Sequence, residues 1–204
     1  GVIVEAKSAA VGWVDLIMSS GQYQHVPTPP YTPGLEYAGV VSWKGSAVGN
    51  HVEVGDAVIA DGALTGPRSL GAHRAWGGWA SWAVAPSEAL LRIPGALSFD
   101  EGCNLLGNYE TAYHCLIARA RLSAGESVLI LGASGATGLA AVQIAKLSGA
   151  TVIATGRSAE KLALVREHGA DHVIVTGEGS VKDEGKSLTG GRGVDVVYDG
   201  VGGA

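Results

Sequence analysis

Cysteine and charge are scarce in this sequence, and each shortage excludes a class of protein. The 204 residues include two cysteines, Cys103 and Cys115, which cannot build a disulfide framework and indicate a reducing, cytoplasmic setting. Charged residues make up 16% of the chain, and the net charge is -5. This balance would not attract nucleic acid or an anionic membrane, so neither is expected as a partner.

Long apolar runs are absent as well. No stretch of about 18 apolar residues occurs, so the sequence predicts no membrane span. No basic segment followed by an apolar core marks a signal peptide. The chain does contain 47% hydrophobic residues and 32 glycines. Apolar residues interleaved with glycines favour a globular protein with many tight turns over a disordered one.

A glycine-rich turn at residues 132–138 organises the second half of the chain. Before it, residues 128–131 are four consecutive apolar residues, typical of a strand buried on both faces of a parallel sheet. After it, residues 139–147 are rich in helix formers and precede Gly149, a predicted C-cap. Strand, glycine turn and helix in this order form the context that a dinucleotide-binding fingerprint requires.

The three fingerprint positions hold Ala133, Gly135 and Gly138, with alanine in place of the first glycine. Gly135 would let the backbone approach a pyrophosphate, and Gly138 would let the helix pack closely against the strand. The helix N-terminus would offer N–H groups and partial positive charge to the phosphates. The alternative is a purely structural turn. The predicted cofactor-binding turn comprises Ala133, Ser134, Gly135, Ala136, Thr137 and Gly138.

The end of the next predicted strand distinguishes the two nicotinamide cofactors. NAD-specific proteins carry a carboxylate there that accepts from the ribose 2′-hydroxyl. This chain has Gly156, with no Asp or Glu until Glu160. Arg157 offers a planar fork to a 2′-phosphate, Ser158 a hydroxyl, and Lys161 a point charge. The sequence therefore predicts NADPH, the alternative being that Arg157 and Lys161 are ordinary surface charges.

Short strands separated by turn signals are predicted for the first half. Such a series favours a small barrel or sandwich. Four prolines mark an irregular loop at residues 27–33, and a tight turn is predicted at 54–56. The alternating apolar patterns that indicate strands lie at residues 1–7, 39–43, 57–60 and 79–84.

A change of period marks a domain boundary near Leu105. Ser98 and Glu101 form a predicted capping box that begins a helical pattern reaching to about Ala120. The predicted domains are residues 1–105 and 106–204. In the second, a helix is expected at 158–168, with Ser158 as N-cap and Gly169 as C-cap. The strands of the second domain are expected at residues 127–131, 151–155, 172–175 and 194–198.

Such a doubly wound sheet normally continues beyond four strands, and the chain begins at Gly1 in mid-strand. We therefore expect 1–204 to be part of a longer protein, with N-terminal and C-terminal strands missing.

Three more stretches carry a resemblance to a known family. They are Thr-Pro-Gly-Leu-Glu-Tyr-Ala-Gly-Val-Val at 32–41, Val-Gly-Asp at 54–56 and Gly-Asn-Tyr-Glu-Thr-Ala-Tyr at 107–113. With the glycine turn, they resemble the medium-chain dehydrogenase/reductase superfamily, and most of all its zinc-independent quinone oxidoreductase (zeta-crystallin-like) branch. The resemblance implies an α/β fold: an N-terminal chaperonin-10-like β-barrel, then a partial Rossmann doubly wound parallel sheet, with a cleft between them. It also implies hydride transfer from a nicotinamide cofactor.

The resemblance assigns roles to three further residues. Tyr23 matches a tyrosine that positions or protonates substrate in related enoyl reductases, although it could be a packed aromatic at the barrel rim. Asn108 and Thr111 match positions near the nicotinamide, the alternative being helix capping. Where the family often has asparagine, this chain has Gly12, so one polar contact is missing.

Zinc is not expected. Zinc-dependent members of the superfamily place ligands at positions that match Gly12, Leu35 and Gly107, none of which can bind the metal. His73 and His114 are the histidines expected near the cleft, and a lone histidine is more often a surface or core residue than a ligand. The tryptophans that could form a cleft wall or simply cover the core are Trp76, Trp79 and Trp82.

Three hypotheses remain open. The first is an NADPH-dependent oxidoreductase that transfers hydride to a quinone or an α,β-unsaturated carbonyl, acting as a homodimer in the full-length protein. The second is a non-catalytic NADPH-binding protein of the same fold. The third is an alcohol dehydrogenase with a rearranged metal site.

Overall fold

A computed structural model describes residues 1–177 and 179–202, which form two compact units. The first unit is Gly1–Gly107 and the second begins at Asn108. Glu178, Gly203 and Ala204 belong to the predicted second domain but lie outside the described residues. The described part contains no helix that is long and apolar enough to cross a membrane.

The first unit is built on a five-stranded antiparallel sheet. The strands are β1 (Val2–Ala9), β2 (Tyr37–Lys44), β3 (Ala57–Ala60), β4 (Trp82–Ala85) and β5 (Leu90–Arg92). Their order in the sheet is β4-β1-β2-β3-β5, so β1 pairs with both β2 and β4. Alternate residues of these strands face a core that includes Val2, Val4, Val41 and Val58, which the alternating sequence pattern anticipates.

The strand predicted at residues 79–84 is partly wrong, since β4 begins only at Trp82. Trp79 instead lies in the preceding loop, where its Nε1–H donates to the carbonyl oxygen of Ala10 at 2.9 Å. A Cβ at Gly78 would collide with the ring of Tyr37, which fixes the path of this loop against the core. The alternating pattern at residues 79–84 therefore combines an anchored loop residue, Trp79, with a strand residue, Trp82.

Two helices border this sheet. Helix α1 (Trp13–Ser19) was not predicted as an element, and Gly12 at its N-cap has no side chain that could signal a start. Helix α2 (Phe99–Gly102) begins as predicted: Glu101 N–H donates to Ser98 Oγ at 3.2 Å, and Ser98 N–H donates to the Glu101 carboxylate at 2.8 Å. The capping box is confirmed.

The helical pattern expected to run to Ala120 is divided. It continues as α3 (Leu106–Tyr113) and then as a π-helix (His114–Arg119). Beyond the end of α2, the Asn104 amide donates to the Asp100 carbonyl oxygen at 2.9 Å, satisfying one of its terminal groups. One continuous sequence pattern thus yields three helical pieces.

The second unit is built on a four-stranded parallel sheet. The strands are β6 (Ser127–Leu131), β7 (Thr151–Gly156), β8 (His172–Val175) and β9 (Val196–Asp199). Their order is β8-β7-β6-β9, as expected for a doubly wound fold. The mixed α/β prediction, with an antiparallel sheet followed by a parallel one, is confirmed. The helices are α4 (Ala136–Leu147), α5 (Ala159–Glu167) and α6 (Val181–Leu188).

Strand β6 is buried on both faces, which is why its sequence is continuously apolar. Val128 and Ile130 pack into the core that α4 covers. Leu129 faces the other way and packs with Ile153 and Ile174. The alternating burial places β6 at the centre of the sheet and directs its carboxyl end into the glycine turn.

The predicted helix C-caps are displaced by one residue. Ser148 and His168 are the C-caps of α4 and α5, while Gly149 and Gly169 follow them with φ of 79° and 118°. The left-handed conformation that favours glycine belongs to the residue after the cap. The sequence signal for the helix end was correct and its position was one residue late.

Candidate functional site

The glycine turn forms an open cradle at the carboxyl end of β6. Gly132 makes the turn itself, with φ of 63°. Gly135 is the N-cap of α4 and supplies no side-chain hydrogen bond to the helix. The first N–H groups of a helix have no partner within it. The first turn of α4 therefore presents donors and partial positive charge to an anion.

Gly135 and Gly138 differ in what surrounds them. A Cβ at Gly138 would lie 2.5 Å from the Gly132 carbonyl oxygen and 2.8 Å from the Cα of Ala133, which is fully buried. A Cβ at Gly135 would meet only the Gly132 oxygen, at 3.4 Å, and Gly135 is exposed. Gly138 is required by packing, whereas the space above Gly135 is open for a ligand.

The end of β7 lies beside this cradle. Ala133 N–H donates to the Thr155 carbonyl oxygen at 2.9 Å, which joins the two strand ends. Gly156 ends β7, and a Cβ there would lie 3.7 Å from Ser134 Oγ. The structure thus brings the predicted fingerprint turn and the predicted cofactor-selecting segment to the same edge of the sheet.

The residues after Gly156 combine exposure with a helix start. Arg157 is exposed, and Lys161 is exposed in the first turn of α5. Ser158 caps that helix by accepting the Lys161 N–H at 3.3 Å. The Lys161 N–H occupies one of the two acceptor lone pairs of the Ser158 hydroxyl, and its O–H proton remains able to donate to an anion. No carboxylate stands at the end of β7.

Asn108 and Thr111 lie on α3 in the second unit. Thr137 Oγ1 donates to Asn108 Oδ1 at 3.1 Å, which ties the start of α3 to the first turn of α4. One residue further along α3, the Tyr109 hydroxyl donates to Gln143 Oε1 of α4 at 2.5 Å. Two hydrogen bonds therefore fix α3 against the helix whose N-terminus forms the cradle.

Tyr23 lies in the first unit, in the loop after α1, and is half-buried. Within residues 1–177 and 179–202 its hydroxyl has no hydrogen-bond partner. A phenol that is not engaged by the protein is able to donate to a ligand.

At the three positions matched to zinc ligands, the backbone N–H groups donate to carboxylates of neighbouring residues. Asp15 is 4% exposed and accepts the N–H groups of Gly12 at 2.9 Å and of Leu35 at 3.0 Å. Glu36 accepts the N–H of Gly107 at 2.5 Å. Among the described residues no cluster of three or more His, Cys, Asp or Glu side chains could hold a metal ion.

The other residues singled out from the sequence occupy separate places. His73 contacts the ring of Trp76 edge-on, with the centroids 5.8 Å apart. His114 is exposed at the start of the π-helix. Trp76 and Trp82 are exposed, whereas the indole of Trp79 is anchored to Ala10.

The first unit also buries the Tyr37 hydroxyl beside Thr65, and burial raises the pKa of that phenol.

The sequence analysis assigned no role to two residues at the site, Gly132 and Asp199. The first fingerprint glycine normally makes the tight turn after the strand, but here Gly132 makes it and not Ala133. This role of Gly132 was predictable, because the residue directly follows the strand. Asp199 ends β9 next to Leu131 and accepts the N–H groups of Val201 and Gly202, each at 2.9 Å. These two hydrogen bonds hold the pKa of the Asp199 carboxyl below its usual range. A carboxylate therefore shares the sheet edge with the cradle.

Comparisons with known proteins match both units. Residues 1–95 match the family described as alcohol dehydrogenase GroES-like domain. Residues 136–204 match the family described as zinc-binding dehydrogenase. The chain is 38% identical over 203 residues to the quinone oxidoreductase-like protein 2 homolog of Nematostella vectensis. That alignment covers 99% of this chain and 52% of the relative, so the chain spans about half the length of the curated relatives it matches.

Solved structures of two kinds share the fold. Escherichia coli quinone oxidoreductase complexed with NADPH is 32% identical, with a TM-score of 0.82 over 99% of this chain and 58% of the other. An NAD-dependent alcohol dehydrogenase is 30% identical, with a TM-score of 0.86 over 96% of this chain and 61% of the other. Fold similarity therefore extends to proteins that use either nicotinamide cofactor.

Proposed function

The chain belongs to the medium-chain dehydrogenase/reductase superfamily, in its quinone oxidoreductase branch, and on that premise we propose that the whole protein is a zinc-independent, NADPH-dependent reductase of quinones or α,β-unsaturated carbonyls. One observation carries the cofactor choice: the open cradle at the start of α4 adjoins a strand end that has Gly156 and Arg157 in place of a carboxylate.

The residues fit a bound dinucleotide phosphate. The pyrophosphate would lie over Gly135, where a side chain is missing and N–H donors are exposed. A 2′-phosphate would lie near Gly156, within reach of Arg157, Ser158 and Lys161. Asn108 and Thr111 would hold the nicotinamide end, with Asn108 oriented by its bond from Thr137. When bound, NADPH supplies the hydride, and these residues supply binding and orientation.

The substrate class follows from what the protein can and cannot stabilise. An isolated carbonyl is hard to reduce without a Lewis acid, and the matched ligand positions Gly12, Leu35 and Gly107 carry none of the zinc-binding side chains. A quinone or enone accepts hydride at carbon while negative charge develops on oxygen, which needs only hydrogen-bond donors. The Tyr23 hydroxyl is the proposed donor to that oxygen.

Steady-state oxidation of NADPH tests the proposal, with quinones, enals, enoyl thioesters and simple ketones as separate substrates. Turnover of a quinone or an enone, with simple ketones unreacted, is expected. Tight NADPH binding without turnover of any acceptor would favour the second candidate, a non-catalytic binding protein. Metal-dependent oxidation of alcohols would favour the third, which the likeness to an alcohol dehydrogenase keeps in consideration.

Assembly and location are further parts of the proposal. The full-length protein is proposed to be a cytoplasmic homodimer that acts on a small molecule, with no nucleic-acid or membrane partner. Light scattering of the full-length protein tests the dimer, and cell fractionation tests the location.

A further inference from the structure

The first unit contains a cavity that the proposed function does not use. Its volume is about 240 Å³, and it is open on one side. This cavity, the Arg74 pocket, combines four polar side chains with an apolar wall. The polar ones are Gln24, His25, Ser69 and Arg74, and the wall includes Val26, Pro27 and Leu70.

Charge is segregated at this pocket. The chain as a whole carries a net charge of -5, yet the two segments that line the pocket, residues 24–27 and 67–74, contain no Asp or Glu. The same segments contribute Arg68, Arg74, His25 and His73. Among the described residues Arg74 forms no salt bridge. Its guanidinium is thus available to an external anion.

The composition of the walls selects the kind of anion. A guanidinium offers a planar fork that matches a carboxylate, sulfonate or phosphate, and it stays charged at every physiological pH. Proline, valine and leucine side chains favour an organic molecule over a free inorganic ion. Ligand pockets usually span roughly 300–1,000 Å³, so this one suits a small acid or one acidic substituent, not a whole cofactor.

The pocket is continuous in sequence with the proposed catalytic residue. Tyr23 directly precedes Gln24 and His25, both of which line the pocket. A molecule whose reducible carbonyl accepts from Tyr23 could therefore place a substituent among these side chains. Resting on the proposed function, we propose that the preferred substrate is an acidic quinone or unsaturated carbonyl, whose anionic group binds in the Arg74 pocket.

A matched pair of substrates tests this inference: ortho-naphthoquinone and its monosulfonate. Wild type is compared with Arg74→Gln, and with Arg92→Gln as a control. Arg92 is also exposed and in the same unit, but it pairs with Asp56 and lies outside the pocket. In Arg74→Gln, kcat/KM for the sulfonate should fall roughly 5- to 20-fold, mainly through KM. The value for the neutral quinone should stay unchanged, and Arg92→Gln should change neither.

The outcomes separate the two proposals. If the neutral quinone is reduced and Arg74→Gln leaves the ratio of the two substrates unchanged, the pocket inference is wrong and the function stands. If neither quinone is reduced and no enal or enoyl thioester is turned over, the proposed function fails, and equilibrium binding decides the pocket. Naphthoate should then bind wild type more tightly than Arg74→Gln, more weakly at high salt, and better than neutral naphthamide. Equal binding of naphthoate to both proteins overturns the inference.

Discussion

Arg157 carries the clearest prediction for a single side chain. It is exposed directly after Gly156, where a carboxylate would repel a 2′-phosphate. Replacing it with alanine should weaken NADPH binding roughly 10- to 150-fold, the value of a charge-assisted hydrogen bond, and should leave NADH binding almost unchanged. Titration with both cofactors measures this. Arg166→Ala, at the other end of α5, is the control, and equal losses for NADPH and NADH would show that Arg157 does not contact the phosphate.

Tyr23 is the residue whose role depends on the reaction itself. Its hydroxyl is not engaged within the described chain, so Tyr23→Phe should leave folding intact. If that hydroxyl donates to the developing oxyanion, kcat should fall more than KM rises, by up to roughly 100- to 1,000-fold for a well-aligned donor. Steady-state kinetics of the complete protein measures both constants. An unchanged kcat would reduce Tyr23 to a packing residue.

At the scale of elements, two glycines at the junction between β6 and α4 have different roles: Gly138 allows the helix to pack on the strand, and Gly135 is proposed to admit the cofactor. Gly138→Ala should destabilise the protein by roughly 1–3 kcal/mol, because the new methyl group would collide with backbone atoms of Gly132 and Ala133. Gly135→Ala should change stability by less than about 0.5 kcal/mol, since its φ of -76° suits any residue. It should nevertheless weaken NADPH binding by covering the helix N-terminus.

Thermal unfolding without cofactor and NADPH titration together distinguish the two glycine variants. A Gly135→Ala protein that binds NADPH as tightly as wild type would show that no pyrophosphate approaches this turn. A fully stable Gly138→Ala protein would show that α4 can shift away from β6.

Asp171 joins α4 to β7 and makes stability depend on pH. Burial raises the pKa of its carboxyl, but hydrogen bonds from Lys146 and from Val152 N–H outweigh this, so the pKa lies below its ordinary value. Asp171→Ala should lower the free energy of unfolding by about 1 kcal/mol at neutral pH, a figure reduced for partial exposure of the pair.

The sign of the pH effect follows from the lowered pKa. The stabilisation is present above the ordinary value of 3.8 and is lost as the pH falls through the folded-state pKa. The gap between wild type and Asp171→Ala should therefore close in acid. Urea denaturation at several pH values measures it, with exposed Glu167→Ala as the control, and a gap of constant size would contradict the argument.

The elements that the sequence predicted well are those with strong local signals. Strand β6 was readable because burial on both faces demands continuous apolar residues, and α2 because Ser98 and Glu101 satisfy each other. Helix α1 was missed because it has seven residues and a glycine N-cap. The start of β4 was misplaced because Trp79 is anchored by Ala10, a contact between residues distant in sequence. The Arg74 pocket was invisible for the same reason.

On the scale of the whole molecule, the prediction concerns metal content. Gly12, Leu35 and Gly107 stand where zinc-dependent relatives would hold ligands, and their backbone N–H groups are bound by Asp15 and Glu36. The purified full-length protein should contain no stoichiometric zinc, and chelators should not reduce its activity. Elemental analysis decides this, and about one tightly held zinc per chain would refute it.

The contact between Glu36 and Gly107 also bears on how a metal site could be introduced. A Cβ at residue 107 would lie 2.5 Å from the Glu36 carboxylate, the same group that binds the Gly107 N–H. A cysteine introduced there would require the flexible end of the Glu36 side chain to move, and two more ligands would still be missing. A metal site of the kind that zinc-dependent relatives have would therefore require new side chains at three separate positions, Gly12, Leu35 and Gly107, and a new place for the Glu36 carboxylate.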